Sequence, residues 1–129
     1  MDPSKTINIA SDEMVRTDGG EKMAVFLVET YVIKPDKLEE FNTVLKKSET
    51  DMKKHPDLFK EMKSHKIFSQ LFGGNWGGYI EMYEFENLAS LEKWMTRMMQ
   101  SDYMKTGYPE QINLIVPGSH SMNIWNPVP

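Results

Sequence analysis

Two glutamates stand where an apolar residue would be expected. Glu29 interrupts "MAVFLVETYVI" (23–33) and Glu81 interrupts "YIEMYEFE" (79–86). Burial of a carboxyl among apolar groups disfavours its charged form and raises its pKa. Such a group is suited to take a proton from a substrate near neutral pH. Pairing with a cation, or exposure at a strand end, is the plainer role for either residue. Tyr83 is two residues from Glu81 and so shares its strand face. Its hydroxyl can hydrogen-bond an oxyanion. Arg97 lies on the flank of an amphipathic stretch, beside Trp94, and can balance the charge of an anionic ligand or enolate. A solvated arginine is the alternative. These four residues, Glu81, Tyr83, Glu29 and Arg97, are the catalytic candidates.

Histidine offers less. His55, His65 and His120 are scattered, with no H-x-x-x-H or H-x-E spacing, so no metal site is expected. His65 is expected opposite Glu86 as a surface pair. His120 shares a strand face with Met122 and Ile124 and reads as half-buried. The chain has no cysteine, which excludes disulfides, thiol catalysis and Cys-based zinc sites.

The segment "FGGNWGGY" (72–79) sets four glycines around Asn75 and Trp76. A hairpin centred between those two residues pairs Phe72 with Tyr79, Gln70 with Glu81 and Phe68 with Tyr83. Aromatic cross-strand pairs of this kind contribute roughly 0.2–1 kcal/mol each. Strand alternation then puts Phe68, Gln70, Phe72, Tyr79, Glu81 and Tyr83 on one face. An aromatic wall with a few convergent polar groups suits a small-molecule pocket. A core or dimer interface would use the same residues. The ligand-binding candidates are Phe68, Phe72, Asn75, Trp76, Tyr79 and Trp94. The glycines permit sharp twist, or close approach of a ligand to the backbone. There is no G-K-[ST] and a strand follows, so this is not a phosphate-binding P-loop.

The elements that must carry these residues follow from periodicity. Residues 23–33 are apolar on both faces, as in a central strand. In 34–54 the stripe Leu38, Phe41, Val44, Leu45, Ser48 and Met52 has helical spacing, with Pro35 in the first turn. Residues 55–64 connect, with room for one helical turn. Residues 65–72 and 79–86 form the hairpin. Asn87 caps a second helix whose stripe is Leu88, Leu91, Trp94, Met95, Met98 and Met99. A short helix after Asp102, a break at Gly107, a second short helix and a last strand at 119–125 complete the chain. The order β-α-β-β-α-β is the split βαβ, ferredoxin-like α+β arrangement, with an antiparallel sheet in the order 4-1-3-2. Residues 1–22 read as a flexible N-terminal arm, in which 6–10 can add a short strand, and 23–129 as one domain. One layer of helices covers one sheet face, so the other is expected to pack against a second copy in a homodimer.

Bulk properties narrow the classes. The 129 residues fit a single domain, and 15 Lys/Arg against 19 Asp/Glu give a net charge of −4. No basic patch stands out, which disfavours nucleic-acid binding. No 18-residue apolar run exists, so no membrane span is expected. The first residues lack a secretory apolar core, and a cytoplasmic protein is the expectation. Eleven methionines serve either as core filler or as an adaptable binding surface.

The run "VETYVIKPDKLEEFNTVL" followed by "YIEMYEFENLASLEKWMTRM" resembles the dimeric α/β-barrel superfamily. It is most similar to antibiotic-biosynthesis-monooxygenase-like and NIPSNAP-like domains, over about residues 23–125. The resemblance implies a homodimer whose two sheets form a barrel, with a pocket in each subunit between sheet and helices. Among such proteins are cofactor-independent monooxygenases acting on polycyclic phenols, which use Asn, Trp, Tyr and Arg around the pocket. Asn75, Trp76, Tyr83 and Arg97 are the counterparts implied here, with no cofactor. Haem-degrading relatives place a histidine on the second helix, and residues 88–100 contain none. Two functions follow. One is an enzyme, a cofactor-free oxygenase or isomerase with an aromatic or enolisable substrate. The other is a non-catalytic, stress-related or structural dimer.

Overall fold

A computed structural model of the chain describes residues 24–74 and 76–129. The N-terminal arm and Asn75 lie outside the described residues. Strand β1 (Val25–Val32) runs through the interior of a four-stranded antiparallel sheet with β2 (Met62–Ser69), β3 (Gly78–Phe85) and β4 (Ser121–Trp125). The order is β2-β3-β1-β4, which is the expected 4-1-3-2 read from the other edge. The reason is visible in the sequence of β1: apolar groups on both sides suit a strand with neighbours and cover.

Helix α1 (Leu38–Lys54) follows a single 3-10 turn that opens at Pro35. Another 3-10 turn, Pro56–Phe59, leads to β2. Helix α2 (Leu88–Met99) starts at Asn87, whose side chain accepts from the Ser90 N–H at 2.9 Å. Short helices α3 (Asp102–Thr106) and α4 (Tyr108–Ile112) flank Gly107, as the sequence indicates.

The helices pack on the sheet face that carries Val25, Leu27, Glu29 and Tyr31. Two apolar clusters form there. Val25, Leu27 and Phe85 pack with Leu91, Trp94 and Met98 of α2. Tyr31 and Ile33 pack with Phe41 and Val44 of α1 and with Leu114 and Ile115. Along β1, Glu29 falls between the two clusters; along β3, so does Glu81. The polar positions therefore sit where the two halves of the helical layer part.

The hairpin departs from its expected register. Phe68 opposes Ile80, Ile67 opposes Glu81 and His65 opposes Tyr83, a slip of three residues. The loop is longer than a tight turn: the Gln70 N–H donates to the Gly78 carbonyl at 2.8 Å, leaving 71–74, 76 and 77 outside the ladder. Gly77 explains why. Its carbonyl accepts from the Ile33 N–H at 2.9 Å, so β1 grips the chain before β3 begins. Its φ of +83° suits glycine, and a Cβ there would lie 2.8 Å from the Ile33 carbonyl oxygen. An odd slip exchanges the faces of β2. Phe68 thus points away from the helices, 48% exposed, while Phe72 and Trp76 project from the loop at 84% and 76%. The expected aromatic face of Phe68, Phe72, Tyr79 and Tyr83 does not form.

Candidate functional site

A cavity of about 890 Å³ lies between the sheet and the helices. Its floor is Leu27 and Glu29 of β1, Glu81 and Tyr83 of β3, and His65 and Ile67 of β2. Its walls are mostly apolar: Leu45 and Met52 from α1, Trp94, Met95, Met98 and Met99 from α2, and Phe59, Tyr103, Met104 and Tyr108. Large methionine side chains on three sides make the lining deformable and polarisable.

Glu29 and Glu81 are directly opposed across β1 and β3, only 9% and 6% exposed. Two buried carboxyls this close need donors, and four side chains supply them. Tyr31 Oη donates to Glu81 Oε2 at 2.6 Å, and His65 Nε2 lies 2.7 Å from Glu81 Oε1. Tyr83 Oη stands between the two acids, 2.9 Å from Glu81 Oε1 and 2.8 Å from Glu29 Oε1. His120 Nε2 closes the series, 2.5 Å from Glu29 Oε2. The His65 ring stacks on Tyr83 with centroids 4.5 Å apart and planes 5° from parallel, which fixes both rings.

Desolvation alone would raise the Glu81 carboxyl, as the sequence led us to expect. It is outweighed: the bonds from His65 and Tyr31, the nearby His65 charge and the bond from Tyr83 hold Glu81 below the ordinary carboxylate range. This corrects the expectation of an acid with a raised pKa at that position. The tyrosines move the other way. Burial, then the negative charge of the carboxylates, pushes the Tyr31 and Tyr83 phenols up, so both are donors at neutral pH.

Of the candidate residues, Glu29, Glu81, Tyr83 and Trp94 line the cavity. The Trp94 indole nitrogen is buried without a hydrogen-bond partner among the described residues. Tyr79 does not line the cavity; it stacks on Tyr31 at 5.8 Å and meets Phe41 edge-on at 4.9 Å. Arg97 is engaged elsewhere. Both its terminal nitrogens bind the Glu61 carboxylate at 2.5 Å, and Nη1 also reaches the Leu58 carbonyl at 3.4 Å. That fork geometry satisfies the guanidinium outside the cavity. With Phe68, Phe72 and Trp76 exposed, only Tyr83 of the Asn75, Trp76, Tyr83 and Arg97 set stands at the cavity among the described residues.

Sequence reasoning missed His65, His120 and Tyr31 as members of the site. The signal lay in parity: His65 and Ile67 share a β2 face, as do Glu81 and Tyr83 on β3, but only the correct register brings the two sets together. No group of three or more His, Asp or Glu side chains among the described residues is arranged to hold a metal ion. No helix among them is long and apolar enough to cross a membrane.

No protein-family model matches the chain, and no curated protein matches it. Solved structures do. A NIPSNAP family protein of unknown function from Agrobacterium tumefaciens is 15% identical with a TM-score of 0.65, over 84% of this chain and 91% of that one. A putative antibiotic biosynthesis monooxygenase from Caulobacter crescentus is 15% identical with a TM-score of 0.61, over 84% and 92%. A conserved protein from Methanosarcina mazei is 19% identical with a TM-score of 0.61, over 81% and 93%. At such identities the likeness is one of fold. Over most of its length the chain is similar to NIPSNAP family and antibiotic-biosynthesis-monooxygenase-like proteins, and it shares their ferredoxin-like α+β fold of four antiparallel strands with helices.

Proposed function

We propose that the protein binds a small apolar or aromatic molecule in the cavity between sheet and helices and carries out cofactor-independent acid–base chemistry on it, as an isomerase or monooxygenase-like enzyme would. One observation carries this reading: a cavity of about 890 Å³ with mostly apolar walls, into which Lys46, Glu49 and Lys105 also reach, and a hydrogen-bonded polar cluster on its floor. Ligand sites are commonly mostly apolar with a few convergent polar groups, in clefts of about 300–1,000 Å³. An oxygen on the ligand would face Tyr83 and His65, and its hydrocarbon body would lie among the methionines. The solved neighbours described as antibiotic biosynthesis monooxygenases add weight to the reading.

Methionine methyl NMR tests it. With 1-naphthol as probe, Met95, Met98, Met99 and Met122 should shift on titration through ring currents. Met82, on the opposite sheet face, should not. Shifts confined to Met82, or none at saturating probe, would sink the reading.

Self-association belongs to the same proposal. The sheet face away from the described helices carries Phe26, Val28, Ile80 and Met82, with Phe68 and Trp125 exposed on it. A second copy packed sheet to sheet would cover it. Phe68→Asp should give monomers in sedimentation at micromolar concentration; an intact dimer in that variant would refute this interface. A purely structural dimer is the second reading, and the probe titration separates it from the first.

A further inference from the structure

The polar cluster has one contact more than its donors can serve. Five close contacts join it: Tyr31 to Glu81, His65 to Glu81, Tyr83 to Glu81, Tyr83 to Glu29, and His120 to Glu29. Each needs a proton between its two heavy atoms. Tyr31 and Tyr83 bring one each, and each histidine brings one through Nε2. That makes four. A hydroxyl has a single proton, so Tyr83 cannot donate fully to both acids. Two oxygens 2.8 Å apart with no proton between them repel.

We propose that the Glu29–Tyr83–Glu81 bridge holds a fifth proton on a carboxyl, and that this proton replaces, on Tyr83, the one the site delivers to the oxygen of a cavity-bound carbonyl, enolate or phenolate. The proposal rests on the ligand reading above and names the acid within it. Glu81 already accepts from Tyr31 and His65 and is held below the ordinary carboxylate range. The extra proton therefore sits on Glu29, whose Oε1 donates to Tyr83 while Oε2 accepts from His120. Tyr83 in turn donates to Glu81. Delivery is balanced. The Tyr83 hydroxyl turns its proton from Glu81 to the ligand, its O–H breaks as the ligand O–H forms, the Glu29 proton moves to the Tyr83 oxygen, and Glu29 is left as a carboxylate. No oxidant or reductant is required. His120 continues to donate through Nε2 to the Glu29 carboxylate that is left. The titratable groups that face the cluster across the cavity are Lys46, Glu49, Tyr103, Lys105 and Tyr108, and none of them is hydrogen-bonded to it among the described residues.

Glutamine at position 29 imitates a neutral carboxyl: its amide N–H can donate to Tyr83 and its oxygen can accept from His120. Glutamine at position 81 instead sets an amide N–H against a donor in either orientation, against Tyr31 at one carboxyl position or against His65 and Tyr83 at the other. Glu29→Gln should therefore melt at the wild-type temperature and Glu81→Gln clearly below it. A melting point for Glu29→Gln as low as that of Glu81→Gln would overturn the proposal. Infrared spectroscopy at pH 7 gives a second readout that does not depend on the Glu81→Gln variant folding. The wild-type protein should show a protonated-carboxyl stretch, lowered in D2O, that Glu29→Gln lacks; its absence from the wild type would overturn the proposal. Neither measurement uses a ligand. A failed naphthol titration with the infrared band present sinks only the ligand reading, and a bound probe with no band sinks only the proton.

Discussion

Removing the Tyr31 hydroxyl is the cleanest perturbation of the buried cluster. Tyr31→Phe deletes one oxygen and keeps the ring, which packs edge-on to Phe41 at 5.7 Å and stacks on Tyr79 at 5.8 Å. What is lost is a 2.6 Å bond to a buried carboxylate. Hydrogen bonds to charged groups contribute about 1.5–3 kcal/mol, against about 0.5–1.5 for neutral ones. The variant should therefore lose about 2 kcal/mol at pH 7. With a urea m-value near 2 kcal/mol/M for a domain of this size, that is a midpoint shift of about 1 M at unchanged slope. The pH dependence carries the sharper test. Glu81 is held below its ordinary value of 4.5, in part by this bond. A carboxyl with a depressed folded-state pKa contributes stability that is present above the unfolded value and lost as pH falls through the folded one. Removing one donor moves the folded value of Glu81 up, toward the unfolded one. The stability gap between wild type and Tyr31→Phe should thus be constant above about pH 4.5 and narrow on further acidification, as the bond becomes one to a neutral acid. Urea titrations at a series of pH values measure the gap. A gap that widens as pH falls, or one below about 0.5 kcal/mol at pH 7, would refute the assignment of Tyr31 as a donor to an ionised Glu81.

Three further outcomes follow from the same geometry. Gly77→Ala should destabilise by roughly 1–3 kcal/mol in urea unfolding, because the new Cβ would meet the Ile33 carbonyl oxygen at 2.8 Å with φ at +83°. Arg97→Ala should leave the naphthol-induced methionine shifts unchanged, since its guanidinium binds Glu61 outside the cavity; lost shifts would place it in the site after all. Asn87→Ala should cost about 0.5–2 kcal/mol of unfolding free energy through the cap on α2, and a neutral result would show that the 2.9 Å bond to Ser90 is not needed there.

The elements of this fold were legible because each is specified locally. The two apolar faces of β1, the 3.6-residue stripes of α1 and α2, and the capping Asn87 are each written within one short segment of the chain. The site was half legible for the same reason. Glu29 and Glu81 stand out as polar residues inside apolar strands, and both strands were placed side by side correctly. What could not be read was the partner of each. A symmetric turn through the glycine segment makes His65 a surface companion of Glu86, and local aromatic pairing agrees with that register. The register is instead fixed by a non-local bond, Ile33 N–H to the Gly77 carbonyl, across 44 residues of chain. Moving β2 by three positions costs nothing that a local pattern records. It exchanges Phe68 for Ile67 and His65 on the helical face, and so replaces an aromatic wall with a base beside two acids. Composition misled about Glu81 in a related way. Apolar sequence neighbours suggest desolvation, but the charge state of a buried group depends on its hydrogen-bond donors, and these arrive from β1 and β2. Glycine segments next to an edge strand are therefore where a sequence reading of this fold should keep several registers open. The register that gathers every buried acid with a donor is the one to prefer, because an unpartnered buried carboxylate costs more than any lost aromatic pair.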